Sequence, residues 1–410
     1  MPNTTIAVVT ALSPSPTTLA EYGFHLLTAL GRKPGVRIVA LVEDGDFDYP
    51  AIDGVEIRKA WKFGSLTNPV RIARAAHAAS ADVVLMNAHF TSFGSSKVSA
   101  ALGLLSPAVM RLSGIPVITL MHNIMETVDL SAAGFKSSAL GEKIVRAIGT
   151  VLTWFVLRSN LVTTTLPRYV EILRSKYGVS NVALTPHGAF DGEPVTELEN
   201  HDGAAPEIVM TFGKFGTYKK VEQLIEAVRS LKRPGLVLTI AGTDSPNTPG
   251  YLADVEARLG GPDVKFLGYI AEEDVAGVFT EATVAVFPYT ATTGSSGVLH
   301  QAGSFGCPPI LPRIGDLEDL VVEEGYTGGF FEPGSVEDLA MAIERLLDDA
   351  DERARISAIN RAASRGLSLE EVADWYLLHA STLAHGDALT IFRSASAVDS
   401  AKDAKLHKVL

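Results

Sequence analysis

VAVFPYTATTGSSGVLHQAGSFGCPPIL (284–311) decides how the second half of the chain is read. VAVFPY (284–289) is a short β-branched, apolar run that predicts a buried strand. VLHQAGSF predicts a short helix, stopped by Gly306 and closed off by Pro308 and Pro309. The loop between them is built from glycine, serine and threonine and contains no carboxylate. Small residues leading into a helix N-terminus present backbone N–H groups, which suits an anionic or hydroxyl-rich ligand.

Outward from that stretch, the same strand–helix alternation repeats. EIVMTFG (207–213), a helix at 221–231, VLTIAG (237–242), a helix near 250–260, VKFLG (264–268), a helix near 272–281 and PPILP (308–312) form one set. An earlier set runs TIAVVTAL (5–12), a helix near 18–31, RIVALVED (37–44), DVVLMNAH (82–89), a helix near 95–113, PVITLMHN (116–123), LVTTTL (161–166) and NVALTPHG (181–188). Alternation of this kind predicts parallel sheets covered by helices on both faces, with a ligand cleft at the carboxyl ends of the strands. DGEPVTELENHDGAAP (191–206), polar and rich in Gly and Pro, reads as a linker, and 386–410 as a loosely held tail.

The composition narrows the function. At 410 residues the chain has material for two domains, and 47% hydrophobic with 20% charged residues describes a globular protein. The single cysteine, Cys307, excludes an internal disulfide and points to a reducing, cytoplasmic compartment. MPNTTIAVVT lacks the basic and apolar regions of a signal peptide, and no long uncharged apolar run predicts a transmembrane helix. The net charge of −12 argues against a nucleic-acid partner. That charge is uneven: the first 200 residues hold 17 basic and 16 acidic side chains, the remainder 18 and 31. Within 131–176, Lys136, Lys143, Arg146, Arg158, Arg168, Arg174 and Lys176 face only Glu142 and Glu171. This segment is either a solvated face or a contact with an anionic acceptor or the inner face of a membrane.

Five segments in order resemble the retaining glycosyltransferases of sequence family 4: FGKFGTYKKVEQLIEAVRSL (212–231), LTIAG (238–242), VKFLGYIAEEDVAGVFTEATVAVFPY (264–289), TTGSSGVLHQAGSFGCPPIL (292–311) and GFFEPGSVEDLAMAIERLL (329–347). In the first half GIPVITLMHN (114–123) and LVTTTLPRYVEILRSKYGVSNVALTPHGAFD (161–191) are similar to it more weakly. The resemblance implies the GT-B fold: two Rossmann-like, doubly wound α/β domains facing each other across a cleft. The corresponding boundaries are 1–190 on the acceptor side, the linker 191–206, a donor-binding domain at 207–367, and a helix at 368–385 crossing back to the first domain.

The resemblance also assigns roles. Lys214 and Lys219 stand where the family has an Arg and a Lys on the donor pyrophosphate; a lysine at 214 keeps the charge and loses the bidentate fork. Lys220 occupies the family's usual glycine. The family's two loop carboxylates, eight positions apart, become Thr293 and Gln301. Gln301 can accept from a ribose hydroxyl, and Gly294, Ser295, Ser296 and Gly297 offer amides to sugar and phosphate. His122 matches the family's histidine beside the sugar, and His187 its interdomain hinge. Thr17 and Thr18 replace a Gly-Gly turn at the diphosphate; with Asn87 and His89 they are the acceptor-side candidates. In the family the donor phosphate takes the acceptor proton, so neither missing carboxylate is a formal base.

These residues imply transfer of a sugar from a nucleotide sugar to a glycan or lipid-linked acceptor, with retention, no cofactor and no metal. The alternative is a nucleotide-binding relic that has lost transfer. Gly-x-Gly-x-x-Gly after the first strand and a Gly-x-Ser-x-Gly elbow are not in the sequence, which argues against an oxidoreductase or a hydrolase.

Overall fold

A computed structural model of the chain describes residues 4–15, 19–90, 92–94, 96–127, 139–189, 206–216, 218–245, 248–291 and 296–387. The chain divides into two compact units. One is built from residues up to Thr127, from Ala139–Pro186 and from Leu369 onward; the other from His187–Ser368.

In the first unit, β1 (Thr4–Val9), α1 (Ala20–Gly31), β2 (Val36–Glu43), β3 (Val55–Trp61), α2 (Asn68–Ala78), β4 (Val83–Ala88), α3 (Lys97–Gly103), α4 (Ser106–Leu112), β5 (Val117–Met121), α5 (Ala139–Val156), β6 (Leu161–Thr164), α6 (Pro167–Tyr177) and β7 (Val182–Leu184) follow one another. The sheet order is β3-β2-β1-β4-β5-β6-β7, parallel throughout. TTIAVV of β1 is buried along its whole length, as a strand covered on both faces must be. Order reverses between β1 and β4, and in such sheets ligands bind beyond the carboxyl strand ends at that point.

The second unit repeats the plan. It comprises β8 (Ile208–Phe215), α7 (Glu222–Ser230), β9 (Val237–Asp244), α8 (Tyr251–Leu259), β10 (Val264–Gly268), α9 (Glu272–Glu281), β11 (Val284–Val286), α10 (Gly297–Phe305), β12 (Pro309–Pro312), α11 (Gly315–Glu323), β13 (Gly329–Phe331), α12 (Val336–Asp348) and α13 (Ala350–Arg365). The parallel order β10-β9-β8-β11-β12-β13 puts its reversal between β8 and β11. Val209, Leu238, Ile240, Val284 and Ile310 of the sheet share one core with Leu224 and Ile225 of α7 and Leu339 and Ile343 of α12. Each such side chain contributes about 1.5–3 kcal/mol when fully buried.

The last helix, α14 (Leu369–His385), belongs to the first unit and packs on α1, β1 and β4. Tyr376, 2% exposed, has its hydroxyl 3.1 Å from Thr163 Oγ1. Lys33 Nζ lies 2.9 Å from both Glu370 and Asp374, and His385 Nε2 lies 2.8 Å from Thr4 Oγ1.

Three local readings differ from the sequence expectation. The helix near 95–113 is two short helices, because Pro107 lies in the first turn of α4 and Ser106 Oγ donates to Gly103 O. The strand over 284–289 shortens to β11, since Pro288 offers no N–H and Tyr289 turns to pair with Lys219. β3 and α2 lie in a stretch the pattern left unassigned: β3 is an edge strand carrying Glu56, Arg58 and Lys59, and α2 is rich in alanine and arginine. The expected linker and tail lie outside the described residues, except for Pro206, Gly386 and Asp387.

Candidate functional site

At the β8/β11 reversal, the end of β8 (Gly213, Lys214 and Phe215) stays paired with β9 and leads into Gly216. Gly213 has φ 137°, which side chains rarely adopt, and a Cβ on the neighbouring Gly242 would stand 1.9 Å from its carbonyl oxygen. The two backbones therefore touch. A tight turn follows, with Gly216 N–H donating to Lys219 O at 2.9 Å. It folds the Lys219 side chain back so that Nζ would lie 3.1 Å from a Cβ at Gly213. The ammonium sits 4.5 Å from the Tyr289 ring centroid and 5.9 Å from that of Tyr218. Among the described residues it has no carboxylate partner, so the only groups holding this half-buried cation are aromatic faces. Tyr289 is buried, and burial pushes its ionisation well above the ordinary range, with the neighbouring Ser296 hydroxyl acting weakly the other way. Lys214 and Lys220 are exposed.

The first turn of α10 completes this corner. Ser296, extended and 8% exposed, caps the helix by accepting from Leu299 N–H at 3.4 Å. Val298 Cγ2 would lie 4.0 Å from a Cβ at Gly213, beside the Lys219 ammonium. Lys219, Gly213, Ser296, Gly297 and Val298 are thus gathered where a helix N-terminus and a fixed cation favour an anion. Gln301, one turn on, is buried at 4% exposure. Thr293, Gly294 and Ser295 lie outside the described residues, as do Thr17 and Thr18.

Behind α10 lies a buried polar cluster. His187 and His300 stack with ring centroids 5.0 Å apart and planes 9° from parallel. His187 Nδ1 donates to Gly188 O at 3.0 Å. His300 Nδ1 is 2.9 Å from the Tyr326 hydroxyl, which is 3.1 Å from Ser364 Oγ, and His300 Nε2 is 3.4 Å from Glu324 Oε2. Burial, with His187 adding to it, keeps His300 neutral well below its usual range, and burial pushes the Glu324 carboxyl up to about 8. At neutral pH Glu324 is therefore protonated, with its carboxyl beside the neutral His300 ring. The Cβ position of Gly297 is 3.6 Å from His187 Cε1, so the cluster touches the start of α10.

The first unit has its own cluster at the ends of β4 and β5, on the β4 side of its reversal. Asn87 Nδ2 donates to Thr10 Oγ1 at 3.0 Å, and Asn87 Oδ1 accepts from His122 Nε2 at 2.7 Å. That places the His122 proton on Nε2. The ring also meets the buried Tyr22 edge-on, 4.6 Å between centroids. Asn123 Nδ2 donates to His89 Nε2 at 2.7 Å, and desolvation lowers His89 to about 4. Asn87, His89 and His122 are therefore brought together, crosswise, with Asn123, which the sequence reading passed over. Its signal is the mirrored pair NAH (87–89) and HN (122–123) after successive strands. Tyr289 left no comparable signal, because only the bridge to Lys219 gives it a role.

Among the described residues no group of three or more His, Cys, Asp or Glu is placed to hold a metal ion, and no helix is long and apolar enough to cross a membrane. Residues 199–363 match the family model for glycosyl transferases group 1. Over 158 residues, 38% of the chain, it is 31% identical to the sulfoquinovosyl transferase SQD2 of Arabidopsis thaliana. It is 27% identical over 264 residues, 60% of the chain, to the D-inositol 3-phosphate glycosyltransferase of Stackebrandtia nassauensis. The chain spans 29% and 58% of the length of these two relatives. In fold, it resembles the Anabaena protein HepE in complex with UDP, with TM-score 0.65 and 17% identity, covering 92% of this chain and 100% of that one. Both parallel sheets are of the GT-B type that the sequence led one to expect.

Proposed function

We propose that the protein is a retaining glycosyltransferase that moves a sugar from a nucleoside-diphosphate sugar to a hydroxyl of a glycan or lipid-linked acceptor. The observation that carries this reading is Lys219: a half-buried cation held by Tyr289 and Tyr218, without a carboxylate, beside the first turn of α10. In the reaction the bond from the anomeric carbon to the diphosphate oxygen breaks, and a bond to the acceptor oxygen forms on the same face. The acceptor proton passes to the departing phosphate. Lys219, with Lys214 and Lys220 nearby in sequence and the α10 amides, offsets the charge that develops on that diphosphate. These groups supply the positive charge, so the reading assigns no metal or other cofactor.

Ser296, Gly297 and the preceding Thr293, Gly294 and Ser295 are assigned to the donor sugar and distal phosphate, and Gln301 to the ribose. His122 is assigned to the transferred sugar. Asn87 and His89 are assigned to the acceptor together with Thr17 and Thr18, so that 1–190 serves the acceptor and 207–367 the donor. UDP is the first nucleotide to test, because the similarly folded HepE was solved with it. Thr293 in place of a carboxylate suits a deoxy, amino or otherwise modified hexose, since a carboxylate facing a missing hydroxyl would be left unpaired. A relative named for transferring a sulfoquinovosyl group supports a modified sugar. The buried lone Cys307 fits a reducing cytoplasm.

Calorimetric titration with UDP, GDP and ADP, followed by transfer assays with their sugars on lipid and glycan acceptors, tests the reading. Binding of one nucleotide that weakens in Gln301→Ala, with transfer from its sugar, supports it. Absence of nucleotide binding across the panel, or binding without transfer from any donor, assigns the chain instead to the relic.

A further inference from the structure

Helix α5 is apolar on two sides. Gly149, Thr153 and Val156 make a buried stripe against the first unit, as a surface helix requires. Ile144, Ile148 and Val151 repeat the same spacing on a different face and are 53%, 49% and 54% exposed. Trp154, 44% exposed, continues along the helix, with the Arg158 guanidinium 3.7 Å above its ring. At this end α4 packs against α5, and Arg111 Nη1 donates to Arg158 O at 2.6 Å. Leu112, next to it, is 89% exposed. Large aliphatic side chains in a row at half exposure are the signature of a face made for a second partner.

The charge around the face says which partner. Lys143 and Arg146 lie along α5 and are exposed, Arg111 and Arg158 lie at its Trp154 end, and Glu142 is the one carboxylate in the sequence of α4 and α5. An apolar stripe edged by cations, with a Trp–Arg pair at one end, matches the interface of an anionic bilayer. There the aliphatic groups enter the acyl boundary, the indole lies at headgroup level and the cations meet phosphates. We propose that α5, with the end of α4, lies flat on an anionic lipid surface through Ile144, Ile148, Val151, Trp154 and Leu112. This narrows the basic 131–176 segment to one helix face, and it does not depend on the chain being an active transferase.

The full-length chain is mixed with vesicles of phosphatidylcholine alone, or with phosphatidylglycerol added, and floated. The expected result is flotation with the mixed vesicles only. It should weaken in high salt, where the screening length falls from about 10 Å at 0.1 M to about 3 Å at 1 M. The double variant Ile148→Asp/Val151→Asp should bind about tenfold or more weakly, as burying two charges in the interface opposes insertion. Lys143→Glu/Arg146→Glu should lose the preference for phosphatidylglycerol. All four positions are exposed, so the thermal midpoint should stay put; if the aspartate variant unfolds, the charge-reversed one still decides. Wild-type chain that ignores mixed vesicles overturns the proposal, as do variants that float like wild type. A wild-type dimer that the aspartate variant turns into a monomer, without vesicle binding, gives the face to a second copy and overturns it too.

Discussion

A lysine that neutralises a carboxylate and a lysine that waits for an anion differ in what holds them, and Lys219 is held by the faces of Tyr289 and Tyr218. Removing one such charge-assisted contact in a closed site costs about 3–4 kcal/mol in the transition state. Lys219→Ala should therefore lower kcat/KM by about 10²–10³ while the urea midpoint stays where it was. Steady-state kinetics beside an unfolding curve reads both; unchanged turnover removes Lys219 from the leaving-group role. Glu324 makes a second prediction at this scale. Its folded value of about 8 lies above the unfolded carboxyl, so the native state holds the extra proton and loses stability as pH rises from about 4.5 through 8. At pH 7 the penalty is of the order of 3 kcal/mol. Glu324→Gln keeps the shape and removes the buried ionisable group, and should be the more stable protein at pH 8, the gap closing towards pH 4.5. Urea titrations at a series of pH values measure it, and parallel curves would discard the assignment. Lys219 was singled out because its segment, FGKFGTYKKVEQLIEAVRSL (212–231), resembles the part of the family that meets the donor pyrophosphate. Tyr289 and Glu324 were not, because their partners lie about 70 residues and about 24 residues away in sequence and are joined only by the packed sheet.

Helix α10 shows how much a single element can be read in advance. Its stop at Gly306, with φ 70°, and its start after the small-residue loop were both written in the sequence, because capping and left-handed backbone are local requirements. Ser296→Ala should cost about 1 kcal/mol of stability through the lost cap and also weaken nucleotide binding. Ser296→Gly should cost only a few tenths of that energy. Chemical unfolding with calorimetry on the two variants tests the ordering; equal stabilities would deny the cap its role. Elements failed to show where burial is one-sided. β3 at the sheet edge alternates charged with apolar residues, and α2 buries mostly alanine, so neither produces the strong apolar period that marks β1 or β8. The break between α3 and α4 followed from Pro107, a signal present in the sequence but overridden by the apolar period around it.

At the scale of the whole chain, α14 returns to the first unit after the second is complete. Leu369, Val372, Tyr376 and Leu377 are almost fully buried there. At about 1.5–3 kcal/mol each, their loss approaches the whole stability of an ordinary domain. A chain ended at Ser368 should then show one cooperative unfolding transition, from the second unit, where the full chain shows two. Calorimetric scanning distinguishes the cases, and two intact transitions in the shortened chain would contradict it. Repetition of one plan in both halves was plain from alternating apolar strands, whereas the bed that receives α14 on β1 and β4 was not, since it pairs the first residues with the last. That pairing has a consequence for the ribosome. The 5-to-20 residues-per-second pace of synthesis puts roughly 10–40 s between the emergence of Pro186 and that of Leu369. Through that interval the nascent first sheet stands with an uncovered apolar bed, while the inserted second half has all it needs to fold. The half that was made first is then expected to finish folding last, after Leu369 has emerged.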